Sequence, residues 1–436
     1  MRVHASLPWG IVTALSLAAA HPAAAQRQML PSLFPEGVPG YDTAPGVTVR
    51  SRLHPELAAQ GIRAGALRIF PSLDLITGYD SNVQGNGGGN AGGGRGAWQT
   101  TTAPGVTATT DWSRDQAGAS VNLESTQYLG MPAQNQTNGN AAAGARLEIG
   151  HDQLTLAAAH VVQHEQFGGV NTLASTQPIT MRVEDLRVSY ALNRGRWSLT
   201  PALDLSGWHY GDATLNGQPA SQAYRDRMVA DGSLTLRYEL APLRNLIFII
   251  RALGQAYPNV PTGQPTSNSQ SYQMLGGLDY DDNALWRMRL LLGAESRQFD
   301  AAAYKSRDTM IAEAEVTWFP TQRTTLRLTL GRDTEDAAQE GVAGLIYTAA
   351  RLDIDHELRR DLLLRGYVAW QQAAYFGGGQ QMGHTAGAGL VWTLNRAMRL
   401  SVTYDQTNLS GGQNSARTLS TGYARGLSLV TLHLGL

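Results

Sequence analysis

Tight polar turns recur along this chain about every 40 residues, and that period constrains the fold more than any other feature. Eight are legible: Asp111–Asp115, Gly150–Asp152, Asn193–Arg196, Ala241–Asn245, Asp281–Asn283, Pro320–Arg323, Leu358–Asp361 and Asn395–Arg396. Asp, Asn, Gly and Pro reverse a chain within a few residues. Each turn is flanked by about ten residues or more in which apolar and polar side chains alternate, the mark of a strand with two unlike faces. A strand near Ala66–Asp80 and its partner near Trp98–Thr110 open the series, and a last strand ends at Leu436. The sum is about 18 strands (16–18), an even number. Propeller blades also repeat near 40 residues, but a blade divides that length into four short strands where this chain has two long ones.

The surroundings of those strands follow from composition. Charged residues make up 16% of the chain, below the ~25% of ordinary soluble domains. Mean hydropathy is nevertheless −0.23, and beyond the first 25 residues the longest apolar run is Leu246–Ile250. Membrane-spanning helices need ~20 apolar residues and are excluded for that part of the chain. Apolar residues diluted by polar alternation predict an all-β fold, a transmembrane antiparallel up-and-down β-barrel. Val430, Leu432, Leu434 and Leu436 share one face of the last strand. That strand is expected to close the wall against Leu67–Leu75, because no open edge survives in hydrocarbon.

The turns are short, whereas Gly85–Gly96, Gly130–Asn140, Pro258–Ser271, Gly377–Gly383 and Leu409–Arg417 are long and polar. Short periplasmic turns and long extracellular loops fit this asymmetry. Trp112, Trp197, Trp286, Trp318 and Trp392 flank the turns, and Trp98, Trp208 and Trp370 lie a strand length away. Two aromatic girdles are expected. Alternation breaks over Arg182–Tyr190, which predicts a β-bulge.

Three segments emerge. Residues 1–25 read as a signal peptide, with Arg2, an apolar stretch Ile11–Ala20 and Ala23-Ala24-Ala25 before the cut. Residues 26–64 carry Pro31, Pro35, Pro39, Pro45 and Pro55 and read as an extended periplasmic lead or a plug within the lumen. Residues 65–436 are the barrel. The expected location is the Gram-negative outer membrane. The chain has no cysteine, and 34 basic residues face 35 acidic ones. That balance leaves no electrostatic footprint for nucleic acid.

Alternation sorts the strand residues by face. Leu73, Leu75, Leu203, Leu205, Leu234, Leu236, Phe248, Ile250, Leu290, Leu292, Leu326, Leu328, Leu330, Leu362, Leu364, Leu400 and Val402 are assigned to lipid. Glu124, Arg146, Asp204, Asp231, Arg237, Glu239, Arg251, Arg287, Arg289, Glu295, Glu313, Glu315, Arg327, Arg351, Asp353, Arg365, Arg399 and Asp405 are assigned to the lumen. An arginine on the lipid face would cost ~2–4 kcal/mol at mid-bilayer. The lumenal charges read either as ion pairs bracing the wall or as a polar path for a hydrophilic solute. Lys305 is the one lysine beside 33 arginines; a guanidinium suits planar pairing with carboxylates and sugar hydroxyls.

Catalytic chemistry has no foothold in the sequence. His160 and His164 would stand ~13 Å apart on a strand, too far for one metal. Gly85–Gly96 lacks the Gly-Lys-Ser/Thr ending of a phosphate loop. Asp80 and Asp281-Asp282-Asn283 fit turn chemistry better than calcium. No catalytic residue, metal site or cofactor is expected.

The run Arg52-Leu53-His54-Pro55, then Gly61-Ile62-Arg63-Ala64-Gly65 leading into Ala66–Leu73, then Gly78-Tyr79-Asp80-Ser81-Asn82-Val83 resembles the opening of the putative β-barrel porin family of proteobacterial outer-membrane proteins. The specific motif covers about residues 50–115. The resemblance implies an outer-membrane barrel inserted by the barrel assembly machinery, with a link to envelope exopolysaccharide. It transfers no functional residue. Two readings stay open: a porin-like channel for small hydrophilic solutes or a secreted polysaccharide, and a closed structural barrel of an envelope complex without transport. A homo-oligomer is compatible with both.

Overall fold

The computed structural model describes residues 33–35, 37–41, 48–50, 52, 56–85, 94–165, 169–215, 217–281, 285–411, 419 and 422–436. The expected signal segment, the centre of the Gly85–Gly96 loop, Asp282 and Asn283 lie outside them. The chain opens with β1 (Ile62–Ala64), β2 (Leu67–Asp80), β3 (Ala97–Thr110), β4 (Gln116–Tyr128), β5 (Gln136–Ile149), β6 (Asp152–His164), β7 (Thr180–Arg194) and β8 (Trp197–Tyr210). A small hairpin follows, β9 (Ala213–Leu215) and β10 (Gln218–Ala220). Next come β11 (Arg227–Ala241), β12 (Arg244–Ala256), β13 (Ser269–Asp281), β14 (Trp286–Phe299), β15 (Arg307–Thr321) and β16 (Thr324–Glu335). The series ends with β17 (Leu345–Arg359), β18 (Leu362–Tyr375), β19 (Gln380–Thr393), β20 (Met398–Ser410) and β21 (Tyr423–Gly435).

Eighteen of these strands, β2–β8 and β11–β21, form one antiparallel wall that closes on itself. All eight turns read from the sequence join neighbouring wall strands. Strands of 12–15 residues at ~3.3 Å per residue and a tilt of ~40° rise roughly 33 Å, enough to cross the hydrocarbon core. Among the described residues no helix is long and apolar enough to cross a membrane.

Closure runs between β2 and β21, over Ser72–Asp80 against Leu427–Gly435. The partner is thus shifted from the expected Leu67–Leu75. The reason is β1, which folds back and takes the edge of β2 at Leu67–Ile69. The seam is tied at both ends. Arg425 pairs with Asp80 near the long loops, and His433 Nδ1 lies 2.7 Å from Asp74 Oδ1 near the periplasmic turns.

The expected bulge within Arg182–Tyr190 does not form. β7 pairs β6 in unbroken register from Thr180 to Ala191. Alternation breaks there because charge sits on the outer face: exposed Glu184 lies 2.6 Å from His160 Nδ1. The register shifts occur elsewhere, at Glu239/Ala241, Trp318/Thr321 and Glu357/Arg359, each just before a tight turn.

The faces separate along every strand. Leu75, Leu203, Phe248, Ile250, Leu292, Leu328, Leu364 and Val402 are exposed outward. Trp112, Trp197, Trp286, Trp318 and Trp392 are exposed beside the short turns, and Trp286 stacks on Trp318 at 5.4 Å. At the opposite rim Trp98 is outward, but Trp208 is not. It is 2% exposed and packs inside, 4.6 Å beneath the Arg227 guanidinium. Counted from outward Leu203 and Leu205, position 208 falls on the inner face.

Candidate functional site: the barrel lumen

All eighteen charged positions assigned to the lumen share the face of buried residues on their own strands. Most are paired. Arg251 meets Glu313 at 3.0 Å, Arg287 meets Asp281 at 2.9 Å, and Arg327 meets Glu315 at 3.4 Å. Arg351 meets Asp353 at 2.7 Å, and Arg365 meets Asp355 at 3.1 Å. Arg237 and Asp279 stand 3.8 Å apart. Asp204 holds Arg187 at 2.8 Å. Arg146 donates to Gln116 at 3.0 Å, Glu124 accepts from Asn138 at 3.4 Å, and Glu295 accepts from Gln273 at 3.0 Å. Asp231 and Glu239 share the inner face of β11 with buried Arg227. Arg289 and Arg399 have no ion pair among the described residues; Arg289 is exposed.

Halfway up the wall an interaction spans two ladders. Tyr367 on β18 donates its hydroxyl to Asp405 on β20 across β19. The contact passes over Gly387, which registers with both residues. A side chain at 387 would strike the carboxylate and the ring. The Arg351 guanidinium stacks 3.8 Å from the Tyr367 ring, a favourable cation–π geometry.

The mouth is narrowed by loops. Asn171, between β6 and β7, takes a left-handed backbone at φ 59°, a conformation that Asn tolerates better than most residues. Its backbone N–H donates to Gln381 on β19 at 2.8 Å. Its Nδ2 donates to the Asp336 carbonyl at 2.9 Å, and its Oδ1 accepts from the Ala338 N–H at 2.8 Å. One residue thus joins three segments. Leu173 bridges to Leu419, and the loops share an apolar cluster with Val170, Leu345, Tyr347 and Tyr423.

Buried charge anchors these loops to the wall. Asp336 receives Arg297 at 2.6 Å and Arg227 at 3.2 Å. Burial pushes its carboxyl up, but the two guanidiniums outweigh burial and hold it below the usual carboxylate range. Arg225 donates to Glu165 at 3.0 Å and stacks 4.0 Å from the Tyr210 ring. Burial pushes the Tyr224 hydroxyl up to about 12, so it stays a donor, here to the Ala338 carbonyl at 2.7 Å.

Sequence reasoning missed Asp185, Arg187, Arg225, Arg227, Arg297 and Asp336 as lumenal groups. Parity alone would have found Arg227 and Arg297, which alternate with outward Met228 and Gln298. Asp336 belongs to a loop and carries no such mark. His160 and His164 do not converge on a metal, and among the described residues no group of three or more His, Asp or Glu could hold one. A groove of about 410 Å³ beside Val368, Trp370 and His384 lies on the outer, lipid-facing side.

OccK1 of Pseudomonas aeruginosa is 11% identical, with 84% of this chain and 99% of that chain covered and a TM-score of 0.45. OccAB2 of Acinetobacter baumannii is 11% identical over 85% and 98%, with a TM-score of 0.44. A BenF-like porin from Pseudomonas fluorescens is 10% identical over 85% and 99%, with a TM-score of 0.46. No curated protein matches the chain. The profile of the family described as Putative beta-barrel porin 2 matches residues 54–421. That span takes in seventeen of the eighteen wall strands and stops just before β21; the chain belongs to this porin family and is an outer-membrane β-barrel.

Proposed function

We propose that the barrel is a diffusive channel for small hydrophilic solutes that are neutral or zwitterionic. The observation that carries this reading is the balance of the lumenal charges: nine arginines and nine carboxylates among the eighteen positions assigned from the sequence, with the further Arg187, Arg225, Arg227 and Arg297 each held by Asp185, Glu165 or Asp336. Most of those arginines stand beside an acid, so the path offers hydrogen-bonding groups without a strong field of either sign. A solute with many hydroxyls loses little hydration along such a wall, because guanidiniums and carboxylates replace its water.

The link to exopolysaccharide passage gains no support, since the comparisons name none and loops cross the mouth where a polymer would thread. Planar-bilayer conductance and liposome swelling test the reading. Stable openings with weak ion selectivity are expected, with faster swelling in uncharged sugars than in charged ones of equal size. A folded barrel that neither conducts nor swells liposomes would leave the closed structural barrel as the better description.

A further inference from the structure

Within the Pro-rich lead, the described residues up to Val49 lie inside the barrel. Leu33, Phe34, Val38 and Tyr41 are each at most 3% exposed and belong to one cluster with inward residues of β5–β8. Phe34 stacks on Tyr41 at 4.5 Å. The Arg187 guanidinium stands 4.8 Å from the first ring and 4.7 Å from the second. Asp185 and Asp204 fix that guanidinium at 3.1 and 2.8 Å, which leaves its flat face to the aromatics. The Tyr41 hydroxyl donates to Asp185 Oδ1 at 2.7 Å. Burial and that carboxylate raise its pKa, so it remains a donor.

The wall is shaped for this segment. Pro39 lies against Gly118 and Gly144, which register with each other across β4 and β5. A Cβ at Gly144 would collide with the Pro39 carbonyl oxygen, and one at Gly40 would stand 2.6 Å from Ala157 Cβ. Further on, the Val49 N–H donates to Thr325 Oγ1 on β16 at 3.1 Å. That strand lies seven places round the wall from β7. The chain leaves at the periplasmic rim, where Arg396 donates to the Glu56 carbonyl at 3.0 Å.

We propose that residues 33–35, 37–41 and 48–50 belong to a resident strap in the lumen, seated on Arg187, that holds the channel in a narrow state and widens it on leaving that seat. This rests on the channel reading above. The seat is one ring-and-guanidinium clamp, one hydroxyl–carboxylate bond and a recess of small side chains. Its contacts are non-covalent and local, so the strap can leave while the wall ladders stay intact.

Single-channel recording of the full chain and three variants tests this, with folding checked by heat-modifiable migration. Gly144→Val denies Pro39 its place, and deletion of residues 33–50 removes the strap; each is expected to raise conductance about twofold or more. Val49→Cys with Thr325→Cys, in a chain with no other cysteine, is expected to hold the narrow state when oxidised and release it when reduced. Separately, Ala157→Cys should resist a water-soluble maleimide in the full chain and react in the deletion variant. Equal conductance in all forms would overturn the strap while leaving the channel intact. Equal labelling with and without the strap would overturn its seat. No conductance from any folded form would overturn the channel reading, and the strap's gating role with it.

Discussion

Asp80 and Arg425 lie 345 residues apart and meet at the outer end of the seam, with Arg425 Nε 3.0 Å from each carboxylate oxygen. Asp80 is fully buried and Arg425 nearly so. Beside them Asn82 Nδ2 donates to the Ala424 carbonyl at 3.2 Å and the Ser81 N–H donates to the Gly426 carbonyl at 2.9 Å. The Tyr79–Val83 motif therefore serves closure, fastening the first wall strand to the last. Asp80→Ala leaves a buried guanidinium unpaired and is expected to cost ~3–5 kcal/mol, whereas Asp80→Leu with Arg425→Met should stay near the parent. Guanidinium unfolding in detergent, followed by tryptophan fluorescence, measures both; a parental midpoint for Asp80→Ala would refute the assignment.

Deleting residues 428–436 removes most of β21 and the ladders it shares with β2 and β20. Two open edges would then face hydrocarbon, where each unpaired backbone group costs several kcal/mol. Assembly should fail. A heat-modifiable band from the truncated chain would contradict the account.

Asn171 is the knot of the mouth, so Asn171→Ala is expected to loosen it by ~1–3 kcal/mol through two lost side-chain hydrogen bonds and a strained backbone. Wider, noisier openings with unchanged global unfolding should follow. Unchanged noise would place the constriction elsewhere.

Asp336 carries a pH dependence whose sign is fixed. Its folded pKa lies below the ordinary value. Its pairing therefore adds stability that is full above ~3.9, the unfolded value, and fades as pH falls through the folded pKa. Mouth order should hold from neutral pH down to about 4 and fail in stronger acid. Asp336→Asn should weaken the mouth at neutral pH and flatten that profile. The check is proteolysis of the β16–β17 loop across the range, and identical pH profiles for parent and variant would count against the role.

Arg289 and Arg399 make no salt bridge among the described residues, and the Asp74 carboxylate acts on Arg399 from longer range. Arg289→Glu with Arg399→Glu should move reversal potentials in a salt gradient toward cation preference. Replacing paired Arg251 by Gln should matter less, since Glu313 already offsets it. Identical shifts for both would mean that pairing does not shape the field.

How much of this was readable beforehand depends on the range of the interaction. The eight turns were legible because their chemistry is local, and strand number followed from them. The faces were legible wherever leucines alternate, and parity would have placed Trp208 inside had it been weighed above spacing. The segment Arg182–Tyr190 misled because an exposed His160–Glu184 pair imitates a register break. Asn171, Asp336 and the Leu33–Tyr41 segment left no periodic trace. Their partners lie in remote strands, and nothing in a linear pattern ties Tyr41 to Asp185 or Val49 to Thr325.

The bridge from Tyr367 to Asp405 over Gly387 bears on the wall's geometry. A closed sheet can change diameter and tilt only by slipping one strand along another, and a slip of one residue turns every side chain to the wrong face. A two-residue slip keeps the faces, so alternation alone does not forbid it. A bond that skips a strand does, because Gly387 must stay level with both partners at once. Gly387, one of three glycines on β19, therefore works as an alignment mark, fixing the stagger of three strands and with it the local bore.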